Sequence, residues 1–382
     1  MQTNPPTWAD PMAHLARTVP DHPVLYLSPR VLQDTARRFT RGFPGLVTYA
    51  VKANARPEVL ANLAAAGLRA FDVASPAEMA AVRAVRADAV LHYHNPVRSE
   101  AEIASATALG VDSWSVDDAG ELEKLAALPP GAEIAVRFVL PETGASYCFG
   151  EKFGATPEQA EALLARVAVM GHRPALYFHP GTQCDDPGSW ARYIAAAGRI
   201  AARAGVPVAR LNVGGGFASN RDGRAPDLEA VFAAIGRATR DAFGPDVPPL
   251  VCEPGRAMVA EAFTLAARIK GMRDGGRRVY LNDGIYGGLA EMRDMAHTRP
   301  VRVIAPDGRA RTGAPLPRTV FGPTCDSIDR LPGAVPLPGD AAPGDYVLFD
   351  GMGAYSAALA TGFNGYGLGE VLTVDSLSGH PV

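Results

Sequence analysis

Lys52 is the residue whose type and position point most directly to chemistry. It sits inside the apolar run of residues 47–54, which predicts a buried strand, and lysine is rarely buried without a partner or a function. Partial loss of water lowers the pKa of an ammonium group and leaves an amine that can condense with an aldehyde. Lys52 is therefore a candidate for a Schiff base, and an edge-strand lysine that reaches solvent is the alternative.

Glycines and a Glu-Arg pair follow two later predicted strands. Gly215 and Gly216 belong to a triple glycine, whose backbone amides can approach a phosphate closely. Glu253 and Arg256 flank a Pro-Gly pair, which places a carboxylate and a guanidinium at one edge. Such a carboxylate can keep the ring nitrogen of a pyridoxal cofactor protonated. A flexible loop and a structural ion pair are the alternatives.

Further polar residues lie in or just after apolar strands. His179 can stack its flat ring on a flat cofactor, or it can be a satisfied core histidine, and Thr182 offers a hydroxyl group for phosphate. Arg137 and Asp72 lie inside apolar strands, where an isolated charge is costly. We therefore expect both charges to have partners at the same edge of the fold.

The C-terminal third contributes a cysteine beside an aspartate and a later tyrosine. Cys325 and Asp326 lie in the segment of residues 322–329, and Tyr355 follows a Gly-Ala pair. A buried small side chain next to a turn residue is the alternative for Cys325. Tyr355 offers a hydroxyl group that can reach phosphate.

Composition narrows the classes of function. The chain has 382 residues and a formal net charge of −3, so it lacks the basic field that binds nucleic acid or an anionic membrane. A signal peptide has a basic start followed by an apolar core, and the first 20 residues lack this pattern. We expect a cytoplasmic protein with reduced thiols and no bound metal, because the spacing of the cysteines suits neither disulfides nor zinc. The cysteines are Cys148, Cys184, Cys252 and Cys325.

Strand and helix patterns alternate along the first two thirds of the chain. Eight repeats of strand then helix predict a (β/α)8 barrel, whose functional residues gather at the C-terminal ends of the strands. An open doubly wound sheet is the alternative. The predicted strands are residues 49–52, 71–74, 90–94, 113–116, 134–139, 175–179, 211–213 and 250–253. The predicted helices are residues 58–66, 77–85, 100–109, 121–128, 157–169, 191–204 and 228–242.

The last third has short β-rich runs separated by Gly, Pro and Asp turns, which predicts an all-β domain. Residues 24–27 are also strand-like and precede the barrel. The sequence therefore predicts a barrel over residues 28–261 and a discontinuous β domain from residues 1–27 and 262–382.

Together these motifs resemble the fold type III pyridoxal phosphate decarboxylases, and among them the ornithine decarboxylase branch. The resemblance runs from residues 49–54 to residues 363–365, with the motifs in the order of the family. It implies an alanine racemase-like (β/α)8 barrel with a C-terminal β domain. It also implies that Lys52 carries pyridoxal 5'-phosphate as a Schiff base, that His179 stacks on the ring and that Glu253 pairs with the pyridine nitrogen.

The resemblance assigns two supporting groups of residues. Those expected to hold the phosphate are Thr182, Gly215, Gly216, Gly255, Arg256 and Tyr355. Those expected to support the site are Asp72, Arg137 and Lys152.

The same resemblance implies a homodimer with shared active sites. Cys325 and Asp326 would then act in the site of the other subunit, Cys325 by protonating the substrate Cα and Asp326 by holding a distal amino group. Asp294 would be the second carboxylate for that amino group. Two carboxylates suit a basic amino acid such as ornithine, lysine or a close derivative.

Arg293 departs from the family pattern, because ornithine decarboxylases usually carry an aromatic residue there. Arg293 would pair with Asp294 and weaken its negative field, or would contact an additional polar or acidic group of the substrate. Decarboxylation of another substrate such as diaminopimelate, racemisation, and a catalytically silent regulatory role remain as alternatives. The carboxylate of Glu253 favours decarboxylation over racemisation, because alanine racemases of this fold place an arginine on the pyridine nitrogen.

Overall fold

The computed structural model describes residues 7–140, 152–295 and 300–378. Residue contacts divide the chain into two compact units, a barrel unit and a β unit. The barrel unit contains Thr35–Ala218 and Pro226–Met258, and the β unit contains Met1–Asp34, Ser219–Ala225 and Val259–Val382. Cys148 lies outside the described residues.

The barrel unit is a closed parallel barrel, which confirms the predicted fold and excludes the open sheet. Its last strand pairs with its first, since Leu46 lies opposite Val251 and Val47 opposite Cys252. The strands are β2 (Leu46–Ala50), β3 (Ala70–Val73), β4 (Val90–Tyr93), β5 (Ser113–Val116), β6 (Glu133–Arg137), β7 (Arg173–Tyr177), β8 (Arg210–Asn212) and β9 (Leu250–Cys252).

Helices connect successive barrel strands, and local sequence signals set where they begin. Thr156 and Gln159 form a reciprocal capping box before a helix whose first residue is proline, and Ser99 and Glu102 form another. The helices are α3 (Pro57–Ala65), α4 (Pro76–Val85), α5 (Glu100–Ala108), α6 (Ala119–Lys124), α7 (Pro157–Val169), α8 (Pro187–Ala204) and α9 (Leu228–Phe243). The short α10 (Arg256–Val259) follows β9, while α1 (Pro11–Thr18) and α2 (Pro29–Gly42) precede β2.

The β unit is built on a mostly antiparallel sheet that joins both ends of the chain. The N-terminal strand β1 (Val24–Leu27) pairs antiparallel with β10 (Phe263–Arg273) and parallel with β16 (Glu370–Thr373). The other strands are β11 (Arg278–Leu281), β12 (Arg302–Ile304), β13 (Pro315–Phe321), β14 (Val335–Pro338) and β15 (Tyr346–Asp350). Their order is β12-β15-β10-β11-β13-β14.

The compact units differ from the predicted ranges in three places, because residues 28–34, 219–225 and 259–261 all group with the β unit. Ser219–Ala225 lies within the range predicted for the barrel, yet it belongs to the β unit. The backbone N–H of Asn220 donates to Glu261, and Arg221 forms a part-buried ion pair of 2.8 Å with Glu291. A polar loop without periodicity carries no sequence signal for such contacts, so only the fold reveals them.

Two further observations concern the described residues alone. None of the helices found there is both long and apolar enough to cross a membrane. Cys184, Cys252 and Cys325 are free thiols, and the first two are buried.

A buried histidine makes the stability of the β unit depend on pH. His14 lies 2.7 Å from the hydroxyl of Tyr26 and 3.0 Å from that of Thr18, and burial lowers its pKa below 6.5. The unfolded chain therefore binds more protons than the folded chain once the pH falls through this range. Stability contributed by neutral His14 is fully present above 6.5 and is lost as the pH falls below it.

We expect the melting temperature of the wild type to fall more than that of His14→Gln between about pH 8 and about pH 5. Thermal unfolding followed by circular dichroism measures the difference. The exposed His22→Gln variant is the control: it removes only a smaller influence on the pKa of His14, so it should change the pH dependence less than His14→Gln does. An identical pH dependence for wild type and His14→Gln would contradict the assignment.

Candidate functional site

Charged residues converge at the C-terminal ends of the barrel strands. Asp72 lies in β3, Arg137 is the last residue of β6 and Glu253 directly follows β9, and all three are buried. Parallel strands in a closed barrel bring these ends together, although the residues are far apart in sequence. The predicted partners of Asp72 are therefore found at this edge, where the charges of Glu253 and Arg137 act on it.

Lys52 lies at the same edge, but not in the predicted strand. Pairing between β2 and β3 ends at Ala50, whose N–H donates to the carbonyl oxygen of Pro254. The chain then turns through a short 3-10 helix, Val51–Ala53, and Lys52 is exposed. The expectation of a buried strand lysine is wrong. Its charge nevertheless acts on Asp72, Glu78, His179 and Glu253, so its ammonium group belongs to the site.

Glu253 is held by two residues that the sequence analysis did not assign. His94 Nδ1 lies 2.5 Å from Glu253 Oε1, and the amide of Asn212 donates to the same oxygen at 2.6 Å. The amide of Asn212 is itself oriented, because its Oδ1 accepts from the N–H of Gly214 at 2.9 Å. One carboxylate oxygen is thereby fixed from two sides.

These contacts keep Glu253 ionised. Burial acts to raise its pKa, but the charge and hydrogen bond of His94, the charge of Lys52 and the bond from Asn212 outweigh burial and lower the pKa to about 2. Asp72 behaves in the opposite way, because burial and the negative charge of Glu253 raise its pKa well above the usual range. Two neighbouring carboxyl groups thus differ in protonation, which is common at functional sites.

His179 presents a neutral ring beside a glycine-lined surface. It follows β7, and its Nδ1 accepts from the N–H of Gly181 at 3.1 Å. Burial and the positive charges of Lys52 and Arg137 lower its pKa to about 3. A neutral planar ring suits stacking on a flat aromatic cofactor.

The triple glycine packs too closely for any side chain. A Cβ on Gly216 would overlap the carbonyl oxygen of Gly181, and a Cβ on Gly215 would lie 3.2 Å from His179 Nε2. Gly214 and Gly216 also have positive φ angles of 70° and 83°, which favour glycine. Gly216 is the half-buried member of the three and lies beside His179, so its missing side chain lets an anion approach the backbone there.

The other residues predicted to bind the cofactor lie at several positions in the chain. Thr182 is half-buried after β7, Gly255 packs against Ala53 beside Lys52, and Arg256 is buried at the start of α10. Arg137 lies over the rings of Phe153 and Tyr177. Lys152 also lies over the ring of Phe153, whereas Tyr355 is in the β unit with a positive φ of 57°.

The barrel residues fit pyridoxal 5'-phosphate. Lys52 supplies an amine, the ionised Glu253 matches a protonated ring nitrogen, His179 offers a neutral face, and the glycine amides suit a phosphate. Asp72, His94 and Glu253 also lie within 4.8 Å of one another, a spacing that a metal could use. However, His94 Nδ1 already contacts Glu253 directly, and the nearby Lys52 opposes a second cation.

The β unit holds the residues predicted for substrate selection. The hydroxyl of Tyr286 donates to Asp326 at 2.6 Å, and Cys325 is exposed beside Asn364. Arg293 donates to both carboxylate oxygens of Asp294, at 3.2 and 3.1 Å. Asp294 is thus paired with its neighbour in an exposed ion pair.

Sequence reasoning missed His94, Asn212 and Tyr286. His94 directly follows β4 and Asn212 ends β8, so both occupy positions where barrel sites form. Their position at the strand ends was the sequence signal that could have identified His94 and Asn212. Tyr286 carries no comparable signal, because its role depends on a contact with Asp326 across the fold of the β unit.

Comparison with known proteins identifies the family. The family described as pyridoxal-dependent decarboxylase, pyridoxal binding domain, matches residues 30–260. A chloroplastic ornithine decarboxylase of Nicotiana glauca is 34% identical over 346 residues, which cover 85% of this chain and 77% of that protein. A lysine/ornithine decarboxylase of Selenomonas ruminantium is 32% identical over 367 residues, which cover 94% of this chain and 91% of that protein.

Solved structures agree with this assignment. The lysine/ornithine decarboxylase of Vibrio vulnificus in complex with cadaverine has a TM-score of 0.81 and 29% identity, over 93% of this chain and 95% of that one. The shared fold, the matched residues and the composition of the site lead to one conclusion: this chain belongs to the pyridoxal-dependent decarboxylases, and its cofactor is pyridoxal 5'-phosphate.

Proposed function

We propose that this enzyme decarboxylates a basic L-amino acid, namely ornithine, lysine or a close derivative, to the corresponding amine. The observation that carries the proposal is the ionised, buried Glu253 at the edge that also holds Lys52 and His179. The named activities of the relatives support the same substrate class. We further propose a cytoplasmic enzyme of polyamine biosynthesis.

Each barrel residue has a separate task in this proposal. The bound cofactor supplies an aldehyde and an electron-accepting ring. Lys52 would hold the cofactor through its aldehyde group, and the exposure of Lys52 leaves this position open to a substrate. Glu253 keeps the ring nitrogen protonated, which strengthens the ring as an electron acceptor. His179, being neutral, packs on the ring without repelling that proton.

We propose that the β unit completes the site of a second subunit in a homodimer. Cys325 is exposed, so its thiol is available to a partner chain. In the assembled site, Cys325 of the partner subunit returns a proton to Cα after carbon dioxide leaves, and Asp326 of the partner subunit binds the distal ammonium group. The exposed apolar side chains of Ile328, Leu359 and Phe363 on the β unit support an interface there.

The Arg293–Asp294 contact bears on substrate choice. Its bidentate geometry supports the first of the two interpretations of Arg293, in which the arginine weakens the negative field of Asp294. Asp326 then remains the principal carboxylate for the distal ammonium group. The hydrogen bonds that Asp326 accepts from Tyr286 and from the backbone of Ile328 lower the pKa of its carboxyl group, whereas burial acts in the opposite direction.

Release of carbon dioxide tests the function directly. Carboxyl-labelled ornithine, lysine, arginine, diaminopimelate and glutamate are offered to the purified enzyme, and we expect labelled carbon dioxide from ornithine or lysine. Borohydride reduction should fix the cofactor to the peptide containing Lys52, and Lys52→Ala is the inactive control. Preference for glutamate or diaminopimelate would refute the basic substrate, and labelling of another lysine would refute the role of Lys52.

Subunit mixing tests the shared site. Lys52→Ala and Cys325→Ala chains are each expected to be inactive alone. After equal mixing, half of the dimers are hybrids with one intact site each, so about a quarter of the wild-type activity should return. A mixture of Lys52→Ala with a double Lys52→Ala/Cys325→Ala chain is the control and should stay inactive. Subunit exchange without recovered activity would contradict the model of shared sites.

Substitution of Arg293 tests whether its pairing with Asp294 limits activity on ornithine. Arg293→Tyr frees Asp294, so kcat/KM for ornithine should rise, whereas Asp326→Ala should lower it by about tenfold or more with the cofactor spectrum unchanged. Arg293→Lys keeps the charge but loses the bidentate contact, and it serves as the matched control. A kcat/KM for ornithine that stays unchanged in both Arg293→Tyr and Asp326→Ala would show that Asp294 and Asp326 do not bind the substrate.

A further inference from the structure

The barrel interior around Glu253 is polar. His92 in β4 and His94 just beyond it share one face of the strand, and Ser113 and Asn212 lie on neighbouring parts of the interior wall. All four residues are 5% exposed or less. Barrels of this type are commonly filled with branched aliphatic side chains, so a buried polar group here requires partners.

His94 is the residue that connects this interior to Glu253. Its Nδ1 lies 2.5 Å from Glu253 Oε1, and its Nε2 lies 3.1 Å from Ser113 Oγ. The amide nitrogen of Asn212 lies 3.0 Å from the same Nδ1. Contacts at both ring nitrogens fix the plane and the rotation of the imidazole.

We propose that His94 is a positioning residue for the cofactor, which fixes Glu253 in the single orientation that faces the pyridine nitrogen. The inference rests on the proposed function and adds to it a residue that acts through Glu253. Because His94 and Asn212 both engage Oε1, the carboxylate cannot rotate freely. The attraction of His94 also helps to keep Glu253 charged.

The position of Ser113 excludes a hydrolase activity for the serine, histidine and carboxylate found here. A serine, a histidine and a carboxylate at these distances resemble the catalytic triad of hydrolases. Ser113, however, is 1% exposed and is the first residue of β5, at the end of the strand opposite to the edge that carries Lys52 and Glu253. A substrate cannot reach its hydroxyl group, so the contact orients His94 instead.

Two alanine substitutions, one in β4 and one just beyond it, test the proposal. His94→Ala removes the contact to Glu253, whereas His92→Ala removes a buried ring of the same size whose centroid is 5.2 Å away and which contacts Arg210 instead. Both apoenzymes are titrated with pyridoxal 5'-phosphate, and the holoenzymes are examined by NMR with the cofactor labelled with ¹⁵N at the ring nitrogen. For His94→Ala we expect a dissociation constant raised about tenfold or more and a ring-nitrogen shift towards the neutral form.

Rescue separates positioning from packing. Asn places its amide nitrogen near the position of Nδ1, so His94→Asn should retain a cofactor affinity close to that of the wild type. Gln places its amide nitrogen near the position of Nε2, so His94→Gln should behave like His94→Ala. This pair decides the question even if the alanine variant does not fold.

The outcomes are distinct. Equal losses of affinity in His92→Ala and His94→Ala, or equal rescue by Asn and Gln, would show that His94 only fills space and would overturn the inference. A ring-nitrogen chemical shift in His94→Ala equal to that of the wild type would also overturn the inference. Failure of the wild type to bind pyridoxal 5'-phosphate would overturn the proposed function and this inference together.

Discussion

The site depends on keeping one buried carboxylate charged. An isolated carboxylate at the position of Glu253 would take up a proton, because burial disfavours the ionised form. His94, Asn212 and the nearby charge of Lys52 reverse that tendency. The surrounding polar wall of the barrel, including Ser113 and the ring of His94, is the structural means by which the carboxylate stays ionised.

The barrel supplies this arrangement through closure. β4, β8 and β9 contribute His94, Asn212 and Glu253 from separate parts of the chain, and the first and last of these strands are not neighbours. Contacts across the interior exist only once the sheet has closed. The glycines after β8 then let the backbone pass close to His179 and Gly181.

Much of the fold follows from sequence periodicity, but the chemistry follows only in part. Every predicted barrel strand is present, although most end one or two residues earlier than predicted, because hydrophobic runs continue past the last paired residue. Lys52 shows the consequence: its apolar neighbours suggest burial, yet it lies beyond the strand and is exposed. His94 and Asn212 were not predicted, because a single polar residue at a strand end has many structural roles and its partners lie across the barrel.

In the proposed holoenzyme, Glu253 faces the pyridine nitrogen while His94 and Asn212 hold its other side. A crystal structure of the wild-type enzyme with pyridoxal 5'-phosphate tests this arrangement. We expect a carboxylate oxygen of Glu253 within hydrogen-bonding distance of the ring nitrogen, with both contacts to Oε1 retained. A ring nitrogen bound by another residue, or a Glu253 side chain turned away from His94 in the holoenzyme, would contradict it.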